Sequence, residues 1–228
     1  MRCRLCLALA AAWLAAAPAR AAAVAIVMAI DVSGSVSAES YILQRDGIAR
    51  AFADARLVNA IAAGGGIEAL VLEWSDPDKV AVSVDWTRIC DAGSAARFAA
   101  AVHATTRSSH GLTAIGPALV VAAAQFGRLP QPAERHVIDI SGDGIANLGE
   151  PPRMVRDRLV KFGVTINALA IVTQEPWLED YDRDNVIGGP GAFVLAARDF
   201  RSFADAMLRK LTAEVAGAGI PLYRAGKS

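Results

Sequence analysis

The chain has 228 residues, 54% of them hydrophobic and 20% charged, with 23 basic residues against 23 acidic. That length and balance suit one α/β domain with a sizeable core and exclude a disordered chain. No internal apolar run reaches membrane-spanning length, and no basic run offers nucleic acid an electrostatic footing.

The first segment stands apart. Arg2 and Arg4 precede an apolar stretch from Leu5 to Ala17, and Pro18-Ala19-Arg20-Ala21 follows as a small-x-small cleavage site. A positive start, a short apolar middle and an Ala-x-Ala end make an export signal peptide over 1–21, cut near 21–23. The apolar part is too short for most bilayers, so no membrane span is expected after its removal. The mature protein is then periplasmic or secreted, a single domain over 22–216 with a short tail at 217–228. Losing Arg2, Arg4 and Arg20 leaves it with three more acidic than basic residues. Losing Cys3 and Cys6 leaves Cys90 alone, so no internal disulfide is available. Cys90 reads as a semi-buried spectator after a strand.

Val24 to Ile30 is a continuous apolar run ending at Asp31, the pattern of a strand covered on both faces. Ser37 caps a predicted helix that continues to about Ala63, where Gly64-Gly65-Gly66 stops it. Ile67 to Trp74 and Val80 to Trp86 read as a hairpin across Ser75-Asp76-Pro77-Asp78-Lys79. A helix follows over Ala92 to Ala104, then a polar loop from Thr105 to Leu112. Thr113 opens the next helix, with Pro117 in its first turn.

His136 to Ser141 reads as a strand, Pro151 to Phe162 as a helix and Val164 to Val172 as a further buried strand. A long polar loop then reaches Gly191. Phe193 to Ala196 is a short strand and Phe200 to Val215 a final amphipathic helix. Alternating strands and helices predict a doubly wound, mostly parallel central sheet with helices on both faces and one antiparallel edge strand.

In such sheets ligands bind beyond the carboxyl ends of the strands. Three polar clusters fall there: Asp31-Val32-Ser33-Gly34-Ser35, Thr113, and Ser141-Gly142-Asp143-Gly144. Alternate residues of an extended segment point the same way, so Asp31, Ser33 and Ser35 can converge. Two carboxylates and three hydroxyls, without His or Cys, form a hard-oxygen set suited to Mg²⁺, Mn²⁺ or Ca²⁺ rather than Zn²⁺ or copper. Taken singly, each residue also fits a helix cap or a loop tie.

Asp-x-Ser-x-Ser after the first strand, a Thr before a later helix and Ser-Gly-Asp-Gly after a later strand resemble the metal-ion-dependent adhesion site of von Willebrand factor type A domains. The resemblance covers about Ala22 to Val215. It implies a Rossmann-like fold in which Ser33, Ser35 and Thr113 coordinate a divalent ion, with Asp31 and Asp143 bound directly or through water. It also implies that an open coordination position accepts an Asp or Glu carboxylate from a partner protein, with no covalent step. The chain further resembles a narrower group of exported bacterial proteins of this type without an assigned role. That likeness rests on Gln44-Arg45-Asp46-Gly47, Glu73-Trp74, Thr113-Ala114-Ile115-Gly116 and the run from Asp184 through Gly188-Gly189-Pro190-Gly191 to Phe193.

Other chemistries fit less well. Asp180, Asp182 and Asp184 have the one-three-five spacing of a calcium loop, but Gly191 stands where its bidentate Glu belongs. His103, His110 and His136 are scattered, and no Gly-x-Ser-x-Gly elbow exists for a serine hydrolase. A phosphatase using Asp31 as nucleophile would want a second Asp where Ser33 stands. The expectation is therefore a binding protein and not an enzyme, with a metal-dependent hydrolase or phosphatase and a metal-independent scaffold as alternatives.

Overall fold

The computed structural model describes residues 22–217. The signal peptide and all of the tail beyond Gly217 lie outside that range. The strands are β1 (Val24–Asp31), β2 (Ile67–Trp74), β3 (Val80–Ile89), β4 (His136–Gly142), β5 (Val164–Ile171) and β6 (Val194–Ala197). The α-helices are α1 (Ala38–Ala53), α2 (Ala55–Ala63), α3 (Ala92–His103), α4 (Ile115–Gln125), α5 (Pro152–Lys161), α6 (Leu178–Asn185) and α7 (Phe203–Ala216).

They form a six-stranded sheet in the order β3-β2-β1-β4-β5-β6. Every neighbouring pair is parallel except β2 and β3, whose antiparallel pairing places β3 on an edge. The predicted fold class and hairpin are both present. All eight residues of β1 are buried, as a central strand covered on both faces requires. Val24, Ile26, Met28 and Ile30 join the core under α1, α2, α3 and α7. Val27 and Ala29 face the opposite core, under α4, α5 and α6. Strand order reverses direction at β1, which sits between β2 and β4, and this switch point positions the site.

Four sequence expectations need correction. The single helix from Ser37 to Ala63 is two helices, because Asp54 adopts an extended backbone and its carboxylate accepts the Arg56 N–H at 2.8 Å. Such local bonding by Asp competes with helix propagation. The long polar loop before Gly191 contains α6, which buries Leu178 and Asp182 at four-residue spacing. A helix disperses Asp180, Asp182 and Asp184, leaving Asp180 and Asp184 exposed while Asp182 is buried, so they form no calcium loop. The last helix starts at Phe203 rather than Phe200, after a turn in which Asp199 accepts from the Ser202 N–H at 2.8 Å. Cys90 is exposed rather than semi-buried.

Candidate metal centre

Four of the five predicted ligands form one hydrogen-bonded chain at the carboxyl ends of β1 and β4. Asp31 Oδ1 accepts the Ser33 N–H at 2.6 Å, which folds the segment after β1 back on itself. Ser33 Oγ and Ser35 Oγ lie 3.3 Å apart. Ser35 Oγ donates to Asp143 Oδ1 at 2.6 Å, joining loops 108 residues apart in sequence. Gly142 lets the two loops approach: a Cβ there would stand 3.0 Å from Asp31 Oδ2.

The Thr113 loop is brought to the same place by its backbone. Gly34 N donates to Gly111 O at 2.7 Å, fastening the loop to the Ser33–Ser35 turn. On the other side, Thr113 N donates to Asn147 Oδ1 at 2.9 Å and Asn147 N returns the bond to Thr113 O at 3.0 Å. Thr113 therefore sits between the loops that carry Ser35 and Asp143. It is buried, and its hydroxyl has no hydrogen-bond partner among the described residues.

Residues that the sequence reading did not select hold these loops in register. Arg107 Nη2 donates to the carbonyls of Val32 at 2.7 Å and Ser33 at 2.8 Å, while its Nε donates to Ser109 O at 2.9 Å. Glu73, at the end of β2, accepts from Tyr41 Oη at 2.8 Å and from the Ser108 N–H at 2.6 Å. Asp76 accepts the Leu112 N–H at 2.6 Å, and Gln44 Nε2 donates to Asp31 O at 3.1 Å. Gln44 and Glu73 belonged to stretches that carried family likeness without a stated role. Arg107 and Asn147 had no sequence signal beyond lying in polar loops. Gly116 is explained as well, since a Cβ there would stand 2.0 Å from Glu150 O where α4 meets the loop before α5.

The electrostatics favour a cation. Asp31 is fully buried and its Oδ2 has no hydrogen-bond partner among the described residues. Burial pushes the Asp31 carboxyl up to about 7, the Ser33 hydrogen bonds pull it down, and the charge on Asp143 adds to the rise. Burial also raises Asp143, against the Ser35 hydrogen bond. Two acids held close with an orphaned oxygen are costly as anions unless a positive charge lies between them. The donor set of carboxylate and hydroxyl oxygens fits a hard divalent ion. Among the described residues no group of three or more His, Cys, Asp and Glu side chains is arranged to hold a metal, so any ion here would depend on the hydroxyls.

The three histidines weighed from sequence have separate surroundings. His103 pairs with Asp46 at 2.9 Å on the surface. His136 stacks on Phe126 with ring centroids 4.6 Å apart. His110 is exposed in the Thr113 loop, where its carbonyl accepts from Lys79 Nζ at 3.4 Å.

A family model described as "Protein of unknown function (DUF1194)" matches residues 21–219. No curated protein matches the chain. Among solved structures, proximal thread matrix protein 1 from the mussel byssus is similar at 19% identity and a TM-score of 0.60, covering 86% of this chain and 49% of that one. Another structure of that protein, described as having a zinc-occupied MIDAS motif, is 21% identical with a TM-score of 0.58 and coverage of 86% and 46%. A von Willebrand factor type A protein from Catenulispora acidiphila is 21% identical with a TM-score of 0.56 and coverage of 85% and 42%. The chain spans half or less of the length of each of these structures. At such identities the likeness is one of fold.

Proposed function

The chain belongs to the family described as protein of unknown function DUF1194 and has the von Willebrand factor type A fold, and from that premise we propose that it is an exported protein binding a divalent cation through Asp31, Ser33, Ser35, Thr113 and Asp143 and recognising a partner protein through that ion. The observation that carries this reading is the convergence of these residues at the switch point, with Asp31 Oδ2 buried and unpartnered.

Each residue has a definite task in it. Asp31 and Asp143 supply two negative charges, which balance a divalent ion. The hydroxyls of Ser33, Ser35 and Thr113 add oxygen ligands without adding charge, leaving the site neutral overall. A bound ion would supply a Lewis-acidic position for a carboxylate from the partner, with no bond made or broken. Mg²⁺ suits the oxygen set, with Mn²⁺ or Ca²⁺ as substitutes, and the zinc in the mussel protein's MIDAS motif makes Zn²⁺ a competitor to measure.

The surroundings support recognition. Leu112, Ile145, Leu148 and Trp177 are exposed apolar side chains on the loops around the site. Leu112 adjoins Thr113, while Ile145 and Leu148 flank the segment bonded to Thr113 through Asn147. Tyr181 Oη accepts the Ala146 N–H at 3.2 Å, and its ring meets Trp177 edge-on at 6.5 Å. The chain of contacts therefore runs from α6 to the metal loop. An acidic side chain flanked by apolar residues would match such a collar. The N-terminal segment supports export, and among the described residues no helix is long and apolar enough to cross a membrane.

Calorimetric titration of the mature protein with Mg²⁺ and Mn²⁺ tests the reading. The expected result is one saturable site that Asp31→Ala abolishes while circular dichroism stays unchanged. Equal affinity in the variant would overturn it. Turnover of a phosphate ester that depends on Asp31 would replace it with an enzyme.

A further inference from the structure

Where α7 crosses the sheet it buries a lysine against β4 and β5. Lys210 is 0% exposed, and its Nζ lies 2.5 Å from Asp139 Oδ1 on β4 and 2.7 Å from Glu214 Oε1 one helical turn on. Asp139 is 1% exposed and Glu214 3%. From β5, Asn167 Nδ2 donates to the same Glu214 oxygen at 2.7 Å. The Phe193 ring covers Lys210 Nζ at 5.4 Å from its centroid. Arg135 reaches only the backbone, donating to Glu214 O at 2.8 Å. On the outer side of α7, Gly47 of α1 packs against Phe203 and Arg56 of α2 faces Asp205, so neither supplies charge to the cluster.

The charge count is uneven: one enclosed cation faces two enclosed carboxyls. With both ionised, the cluster would bury an uncompensated negative charge, which desolvation strongly opposes. Asp139 Oδ2 and Glu214 Oε2 also lack hydrogen-bond donors among the described residues. One proton on the pair removes the excess charge and supplies a donor.

We infer that Asp139 keeps its proton up to neutral pH beside the Lys210–Glu214 ion pair, forming a proton-dependent latch that fastens α7 to β4 and β5. The direction of titration agrees: burial and the charge of Glu214 push the Asp139 carboxyl up to about 7, against the pull of Lys210. Unfolded, both acids ionise near their ordinary values, so the native state binds one more proton from about pH 4 to about pH 7. The latch is intact below that window and weakens as pH rises through it. This goes beyond the metal site and does not depend on it.

Carbon-13 NMR titration of the carboxyl signals, with Mg²⁺ present throughout, reads the proton directly. The Asp139 signal should titrate near neutrality, and amide exchange over 203–216 should gain extra acceleration as pH rises from about 4 to about 7 and none above that. Asp139→Asn, or Glu214→Gln if that variant does not fold, should remove both effects and flatten the fall of the urea midpoint between about pH 4 and about pH 7. An Asp139 signal that titrates in the ordinary acid range in the unaltered protein would overturn the inference. So would equal pH slopes in the unaltered protein and a folded variant.

Discussion

Arg107 shows how a residue that need not touch an ion can govern its site. One guanidinium nitrogen takes two carbonyls of the turn that carries Ser33, and the Nε holds the loop that carries Thr113. Arg107→Ala should free both loops and weaken Mn²⁺ binding roughly 10–100-fold, the usual cost of losing an outer support of a metal site. Lysine cannot reproduce the forked geometry and should restore little of it. Calorimetry on the two variants checks this, and unchanged affinity in both would remove Arg107 from the account. Asp182 yields a pH prediction of its own. Burial, with the charge of Glu179 beside it, pushes its carboxyl up to about 8. The native state therefore keeps a proton that the unfolded chain loses near pH 4. Stability should fall as pH rises from about 4 towards 8, and Asp182→Asn should remove about 1.4 kcal/mol per pH unit of that slope. Urea unfolding measured across this range with and without the substitution decides it. An unaltered slope would mean that Asp182 titrates as an exposed acid.

At the scale of elements, the central strands and most helices were legible because their signals are periodic. The apolar run of β1 and the glycines after α2 leave little choice of structure. What escaped was set by single side chains or by tertiary context. Asp54 splits a helix through one hydrogen bond, and Leu178 and Asp182 reveal α6 only as a two-residue inner face in an acidic segment. The candidate site divides along the same line. Its five proposed ligands were visible as strand-end motifs, but the residues that set their spacing act across loops distant in sequence. Gly47 has a tertiary role too: a Cβ there would lie 2.7 Å from Phe203 Cδ1, so the bare position lets α1 and α7 approach closely. Gly47→Ala should cost about 1–3 kcal/mol by overpacking, more than offsetting the helix propensity it gains. A urea midpoint at or above that of the unaltered protein would show that Phe203 yields freely.

Taken whole, the molecule places its two unusual charge clusters at different parts of one sheet. The carboxylates of Asp31 and Asp143 lie at the ends of β1 and β4, while the Asp139–Lys210–Glu214 cluster is buried beneath α7. Both exploit β4, which carries Asp139 within its length and leads into Asp143. On the proposed reading, the sheet separates a binding site at its carboxyl edge from an anchor in its core. The central claim is that the first cluster holds a divalent ion, and a crystal grown with Mn²⁺ and measured at the manganese absorption edge tests it most directly. The account predicts one strong anomalous peak enclosed by Asp31, Ser33, Ser35, Thr113 and Asp143, absent in Asp31→Ala crystals. A map without a peak there at saturating Mn²⁺, or with its peak elsewhere on the protein, would contradict it.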